Sequence, residues 1–416
     1  MCRKVLLCGL VLFLATFNTS AKSPVPPAPE RNDDPLLMPW RKAAVHAVDV
    51  DGNRHSMHAY YLTSPESPDG RTVLCYTSTT ANGQEGEIRI LDRAGGGERV
   101  VARKLVTEDA HRVACQQWLS GGKRVAYHTR RGDDWLVAAV DLGTGREQVL
   151  AKDHLIGFGQ PRANLVPIYG RHWKPGDFHD LEIVDVVTGK ITCPVTAAAV
   201  RTKYPEWTER TVGNGEISIF FPVLSPDLTR VFFKMASPAG GDYDSTQASH
   251  REGIVSYDLG GGKFFFARTK WGHPAWSPDS QTILEVGNVL IDAATGETRR
   301  FAGAPPLGGE HPSFSPDGKL FVKDGPLDRL GGKKGEWGII VGRLDGGSYV
   351  FVHRFQQSAG ARSWRVSHPH PVFSPDGKRI YFNVSGPQWT RLHVAEAALS
   401  FGEKQGENTC TSSLPF

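Results

Sequence analysis

The sequence predicts an all-β fold made of repeated four-stranded antiparallel units, and three observations carry that prediction. One phrase recurs along the chain: SHPHPVFSPDGKRIYFNVS (Ser367–Ser385), GEHPSFSPDGKLFVKD (Gly309–Asp324), WGHPAWSPDSQTILEV (Trp271–Val286) and, more worn, FFPVLSPDLTRVFFKM (Phe220–Met235). Each copy has the same grammar, a short approach, a Ser-Pro-Asp-Gly turn and an alternating strand. In the last copy Ile380 and Phe382 share one face, while Arg379, Tyr381 and Asn383 share the other. Amphipathic helical periodicity is nearly absent after residue 21, and 46 Gly and 28 Pro supply the turns that many short strands need. The repeats recur at roughly the 40–50-residue period of propeller blades, and seven of them predict a seven-bladed β-propeller.

Taken in order, the chain opens with Arg3 and Lys4, an apolar run Val5–Phe17 and small residues Thr19-Ser20-Ala21. That is the pattern of a cleaved export signal over residues 1–21, since the run is short for a bilayer span. Residues 22–40 are Pro-rich and charged and read as a linker. The propeller is expected over 41–398. Within it, Ala43–Val50 is one isolated strand, and Asp49 to Asn53 reads as a hairpin turn, with only a faint likeness to a calcium loop.

The repeats then run Tyr60–Val101, Arg112–Lys152, Leu155–Thr196, Ile217–Thr269, Gly272–Gly303, Gly309–Phe355 and the stretch from Ser367 to about Ala397. The fourth carries a Gly/Asp/Ser-rich insert, Ala239–Glu252, and the sixth a polar insert, Gly325–Glu336. The last repeat runs out after three strands. Ala43–Val50 is placed to supply the fourth and so close the ring, which removes exposed sheet edges. Residues 399–416 read as a frayed tail.

Composition narrows the function classes. The formal charge is only +4 over 416 residues, with no basic run, which argues against nucleic acid. The chain lacks a Gly-x-Ser-x-Gly elbow, a phosphate loop and a dinucleotide fingerprint. Beyond the signal, Cys75, Cys115, Cys193 and Cys410 lack zinc-site spacing and read as buried thiols or one or two bridges of undetermined pairing. The expected product is a soluble, exported monomer, periplasmic or extracellular, without a membrane span in the mature chain.

The chemistry is expected where the innermost strand of each blade meets the central funnel. The repeated His-Pro puts His273, His311 and either His368 or His370 there, from three consecutive blades. Converging neutral imidazoles suit a divalent manganese, zinc or iron-type ion. The competing reading is that each histidine bonds a neighbouring blade. The doubled His368-Pro369-His370 weighs against it, because such a device needs one histidine. Tyr169–Asp180, with His172, Asp177, His179 and Asp180, reads as a solvated loop.

The Ser-Pro-Asp-Gly repeat resembles the propeller of TolB-type proteins. From Trp271 to Ala397 the chain also resembles the oligogalacturonate lyases, through His273, through His311 with Lys323-Asp324-Gly325, and through SHPHPVFSPDGK. That resemblance implies a seven-bladed propeller cleaving uronate oligosaccharides by β-elimination, with manganese held by histidines and a glutamine. It implies a metal on His273, His311 and His370, with His368 as fourth ligand or base. Arg365 would grip the sugar carboxylate, Asp324 would orient a histidine, and Trp271 and Trp364 would stack on sugar rings.

The chain departs from the family pattern at two places. Arg365 stands where the family has its glutamine, and Phe220-Phe221-Pro222 stands where it places the proton-abstracting histidine. The partner expected is therefore an acidic oligosaccharide or, for a non-catalytic TolB-like propeller, an envelope protein or glycan.

Overall fold

Each sequence repeat folds because its turn is built from its own side chains. In the computed structural model, which describes residues 29–398 apart from 32, 50 and 96, Ser315 Oγ donates to Asp317 Oδ1 at 2.6 Å. It also accepts from the Leu320 amide at 2.9 Å. The same Ser–Asp pair closes the turns at Ser67, Ser225, Ser277 and Ser374. The fourth turn residue takes positive φ in every copy: Gly70 74°, Leu228 62°, Ser280 63°, Gly318 68° and Gly377 71°. Leu228 and Ser280 show that the Ser–Asp clamp holds the turn even without glycine.

The second to sixth repeats are separate four-stranded antiparallel sheets. They run from Gln117–Leu119 to Glu147–Lys152, His154–Ile156 to Ile191–Val195, Ser218–Leu224 to Lys263–Arg268, Ala275–Trp276 to Thr298–Arg300, and Ser313–Phe314 to Tyr349–Gln356. The first repeat (His55–Met57 to Glu98–Val106) and the last (Val372–Phe373, Arg379–Ser385, Thr390–Glu396) share an eight-stranded sheet, joined by a parallel bridge between Ser56 and Arg391. Ala44–Ala47 pairs antiparallel with Thr390–Glu396, Ala44 opposite Glu396, and is the fourth strand of the last repeat.

Successive repeats are tied through their first strands. Gln117 Nε2 donates to the Gly157 carbonyl at 2.8 Å, Phe158 N to Pro222 O at 3.0 Å, and Ser313 Oγ to Pro371 O at 3.1 Å. Tryptophans do the same from the core: Trp118 Nε1 reaches Pro65 O at 2.8 Å and Trp276 Nε1 reaches Val223 O at 3.1 Å. These bonds satisfy buried indoles and bring the approach segments of several repeats together.

Three features differ from the sequence reading. Two helices, Ala197–Lys203 and Pro205–Val212, follow the third sheet. Their signals are local: Thr196 caps the first through the Ala199 amide at 3.1 Å, Pro205 starts the second, and Val200, Trp207 and Val212 turn inward. The Pro-rich stretch packs before residue 41, because Leu37 and Trp40 are buried against Val341, Phe373 and Phe382. The turn after Asp49 does not close a hairpin, since Ala44–Ala47 and His55–Met57 each pair with Thr390–Glu396 and not with each other, and Asp49 is held by Arg54 at 2.8 Å in an ion pair.

Cys75 and Cys115 are buried free thiols and Cys193 an exposed one. The expected export signal, most of the linker, Cys410 and the tail lie outside the described residues. No helix among the described residues is long and apolar enough to cross a membrane.

Candidate metal centre and adjoining cavity

The approach segments deliver four imidazoles to one point. One ring nitrogen each from His111, His311, His368 and His370 lies within 4.8 Å of the other three. His111 and His370 ring centroids are 4.5 Å apart, and those of His311 and His370 4.4 Å. His370 sits just before a first strand with φ 51°, a left-handed conformation that a non-glycine residue adopts at a cost. Its amide is held by Asp324 Oδ2 at 3.2 Å.

Hydrogen bonds fix which nitrogens face inward. His111 Nδ1–H donates to Val366 O at 3.1 Å, and His311 Nδ1–H to Asp324 Oδ1 at 3.0 Å. The Nε2 atoms of both rings are buried without a partner, as are Nδ1 of His368 and both nitrogens of His370. Buried polar atoms are rarely left unpaired. A cluster of them, all imidazole nitrogens, is what a metal centre requires.

The electrostatics agree with that donor set. Burial, with the Arg365 charge nearby, pulls His311 down to about 3, and burial with the neighbouring His311 pulls His368 down to about 4. His111 and His370 are also pushed well below the ordinary histidine value, mainly by burial. The rings are therefore neutral with lone pairs free. Burial raises Asp324 to about 7, against the bonds from the His311 and His370 amides. It behaves as a carboxyl waiting for a positive partner.

Beside the cluster opens a cavity of about 310 Å3, walled by Arg112, Lys234, Arg251, His273 and Arg365, with Trp271 and Trp364. Its three arginines are held from behind by an acidic pair. Glu108 bonds Arg112 at 2.8 Å and His172 at 3.2 Å, and lies 3.9 Å from Arg251. Asp109 bonds Arg365 at 3.3 Å, and Trp364 Nε1–H donates to the Glu108 carbonyl at 2.9 Å. Lys234 Nζ stands 4.5 Å over the Trp271 ring. Phe221 packs edge-on against Trp271 at 5.9 Å, as an apolar wall.

Of the residues singled out in the sequence, the structure gathers His311, His368 and His370 in the cluster, with Asp324 behind them, and puts Arg365, Trp271 and Trp364 on the cavity. His273 falls outside the four-nitrogen group. Its ring is 4.4 Å from that of His311, its Nδ1–H donates to Glu310 O at 3.1 Å, and it lines the cavity. His111 was missed because its repeat lacks His-Pro. The available signal was Thr107-Glu108-Asp109-Ala110-His111-Arg112, a dense charged run just before a first strand. His172 is fully buried on Glu108, not part of a solvated loop.

No family model and no curated protein sequence matches the chain. Among solved structures, an oligogalacturonate lyase in complex with manganese matches with a TM-score of 0.57 at 18% identity, over 86% of this chain and 96% of that one. The oligogalacturonate lyase of Vibrio parahaemolyticus matches with a TM-score of 0.58 at 16% identity, over 85% and 96%. The fold is a β-propeller. A TolB from Acinetobacter baumannii aligns with a TM-score of only 0.38 at 15% identity, over 71% of this chain and 62% of that one, too loosely to add to that conclusion. At these identities the likeness concerns the fold, and the chemistry rests on the residues of this propeller.

Proposed function

We propose that this chain is an exported, seven-bladed propeller closed by Ala44–Ala47, and a metal-dependent lyase that cleaves uronate-containing oligosaccharides by β-elimination. The observation that carries the reading is the set of orphaned, neutral imidazole nitrogens on His111, His311, His368 and His370, opening beside a cationic cavity. The donors fit a divalent ion: two nitrogens each about 2.1 Å from one centre lie at most about 4.2 Å apart, so a 4.8 Å spread asks only for small ring movements. Manganese is the first candidate, after the similar lyase structure that contains it. A bound ion would supply Lewis-acid stabilisation of the charge that builds on the uronate carboxylate.

The chain's own residues supply the rest. Arg365 and Arg251 hold the sugar carboxylate in bidentate fashion, and Trp271 and Trp364 offer ring faces to the sugar. His273, its Nδ1–H fixed on Glu310 O, presents Nε2 as the acceptor for the C5 proton. As that proton moves, its electron pair closes the C4–C5 double bond, the C4–O bond breaks, and the leaving oxygen takes a proton from solvent.

The test is metal content and product formation in the purified mature protein and in His370→Ala. Near-stoichiometric metal lost in the variant, with unsaturated uronate product followed by ultraviolet absorbance only in the parent, is the expected result. A metal-free parent, or equal product from both, would overturn the reading in favour of a non-catalytic binding propeller.

A further inference from the structure

A second cavity, about 480 Å3, lies outside the centre just described and is walled by Arg130, Arg171, Lys174 and Tyr243. Tyr243 is half-buried, and its ring is propped by two buried tryptophans, edge-on by Trp135 at 5.3 Å and at a tilt by Trp173 at 6.1 Å. The Arg130 guanidinium lies 4.9 Å from the Tyr243 ring centre. Arg171 touches Asp153 at 3.4 Å, yet its Nε has no hydrogen-bond partner. Three cations thus face two carboxylates, Asp133 and Asp242, around a rigid aromatic plate.

One chain segment lines both cavities, with different residues facing each. The insert 239–252 contributes Gly240 to Tyr243 to the second cavity and Thr246 and Arg251 to the first. It is held closed between them by Gly241 N on Gln247 O at 3.0 Å. The turn at 171–173, just past the strand Leu165–Gly170, links the two indirectly. Arg171 and Trp173 line the second cavity, while His172 between them turns inward to Glu108, the carboxylate that holds Arg112 in the first.

We infer that this second cavity is an outer subsite for the same acidic chain, where Tyr243 stacks on a distal sugar and Arg171 and Lys174 take its carboxylate. The inference rests on the uronate reading for the class of ligand. An aromatic face takes the apolar side of a sugar ring, and cations beside it take the acidic group. A chain seated in the first cavity that crosses the insert would meet this plate next, so the site selects for length.

The test is calorimetric binding of digalacturonate and hexagalacturonate to the full chain and to a Tyr243→Ala/Lys174→Ala variant, alongside product formation. The variant should lose roughly tenfold to a hundredfold in affinity for the hexamer, the scale expected for one stacked ring and one charged hydrogen bond, with the dimer unchanged. Equal loss for both lengths, no loss, or no hexamer binding by the parent would overturn the subsite. Tyr243-dependent hexamer binding without unsaturated product would keep the subsite and overturn the lyase reading. Product formation with no dependence on Tyr243 would do the reverse.

Discussion

Glu108 is the residue on which the cavity's geometry depends, and Glu108→Gln tests that dependence. The Glu108 and Arg112 side chains are 1% and 4% exposed and 2.8 Å apart, so the substitution leaves a buried guanidinium without its main counter-charge. Breaking a buried pair from one side costs about 3–5 kcal/mol. Asp109, 3.8 Å from Arg112, remains and places the loss at the lower end, about 3 kcal/mol. With an unfolding entropy of about 2.1 cal/mol/K per residue over roughly 370 residues, that corresponds to a Tm lower by about 4 °C at neutral pH.

The pH dependence has a definite sign. Burial alone would raise the Glu108 carboxyl, but Arg112 and the His172 hydrogen bond more than overcome it and hold it well below its ordinary value of 4.5. A depressed acid contributes its stability above the unfolded value and loses it as pH falls. The gap between parent and variant should therefore be full at pH 7 and shrink by about 1.4 kcal/mol for each unit below 4.5. Chemical denaturation of both proteins at pH 7 and at about pH 3.5 is the assay. Equal stability at pH 7, or a gap of the same size at both values, would refute the electrostatic account of the cavity.

Two further outcomes follow from contacts. Asp324→Asn keeps a hydrogen-bond acceptor for His311 but removes the carboxylate that orients two approach segments. Manganese affinity measured by calorimetry should fall about 10–100-fold with the fold retained, and an unchanged affinity would remove Asp324 from the centre. Trp40→Ala empties a side chain that is 3% exposed and packed 5.4 Å from the Phe373 ring. Unfolding free energy should drop by about 3–5 kcal/mol; a drop under about 1 kcal/mol would mean that Met38–Arg41 is not part of the cooperative unit.

The fold was legible because its determinants are local and repeated. A Ser-Pro-Asp-Gly turn specifies its own hydrogen bonds within five residues, so each copy in the sequence announces a turn without any knowledge of the partner strands. Even the worn copies obey, since Leu228 and Ser280 accept the strained φ that the clamp imposes. The pairing of Ala44–Ala47 with the last repeat could be anticipated from a count of strands. The helices at 197–212 could not be read from repetition, because they belong to no repeat and are fixed by one cap, one proline and five buried side chains.

The site divides along the same line. His311, His368 and His370 lie in the repeated His-Pro segments, so the register of the repeats draws them toward one point, but the same register expects His273 there, and its ring stays outside the four-nitrogen group. His111 and the pair Glu108-Asp109 sit where their repeat departs from the pattern, and nothing periodic points to them. Yet Glu108 and Asp109 hold Arg112, Arg365 and, through a backbone carbonyl, Trp364. Arg365 follows the same logic from the other side. Arg365 is a cation beside the cluster, and the cluster's fourth ring nitrogen comes from His111, in the segment that leads into the second repeat. A guanidinium facing a cavity needs a carboxylate to restrain its charge, and the six residues from Thr107 to Arg112 provide that carboxylate in Asp109 together with the imidazole of His111.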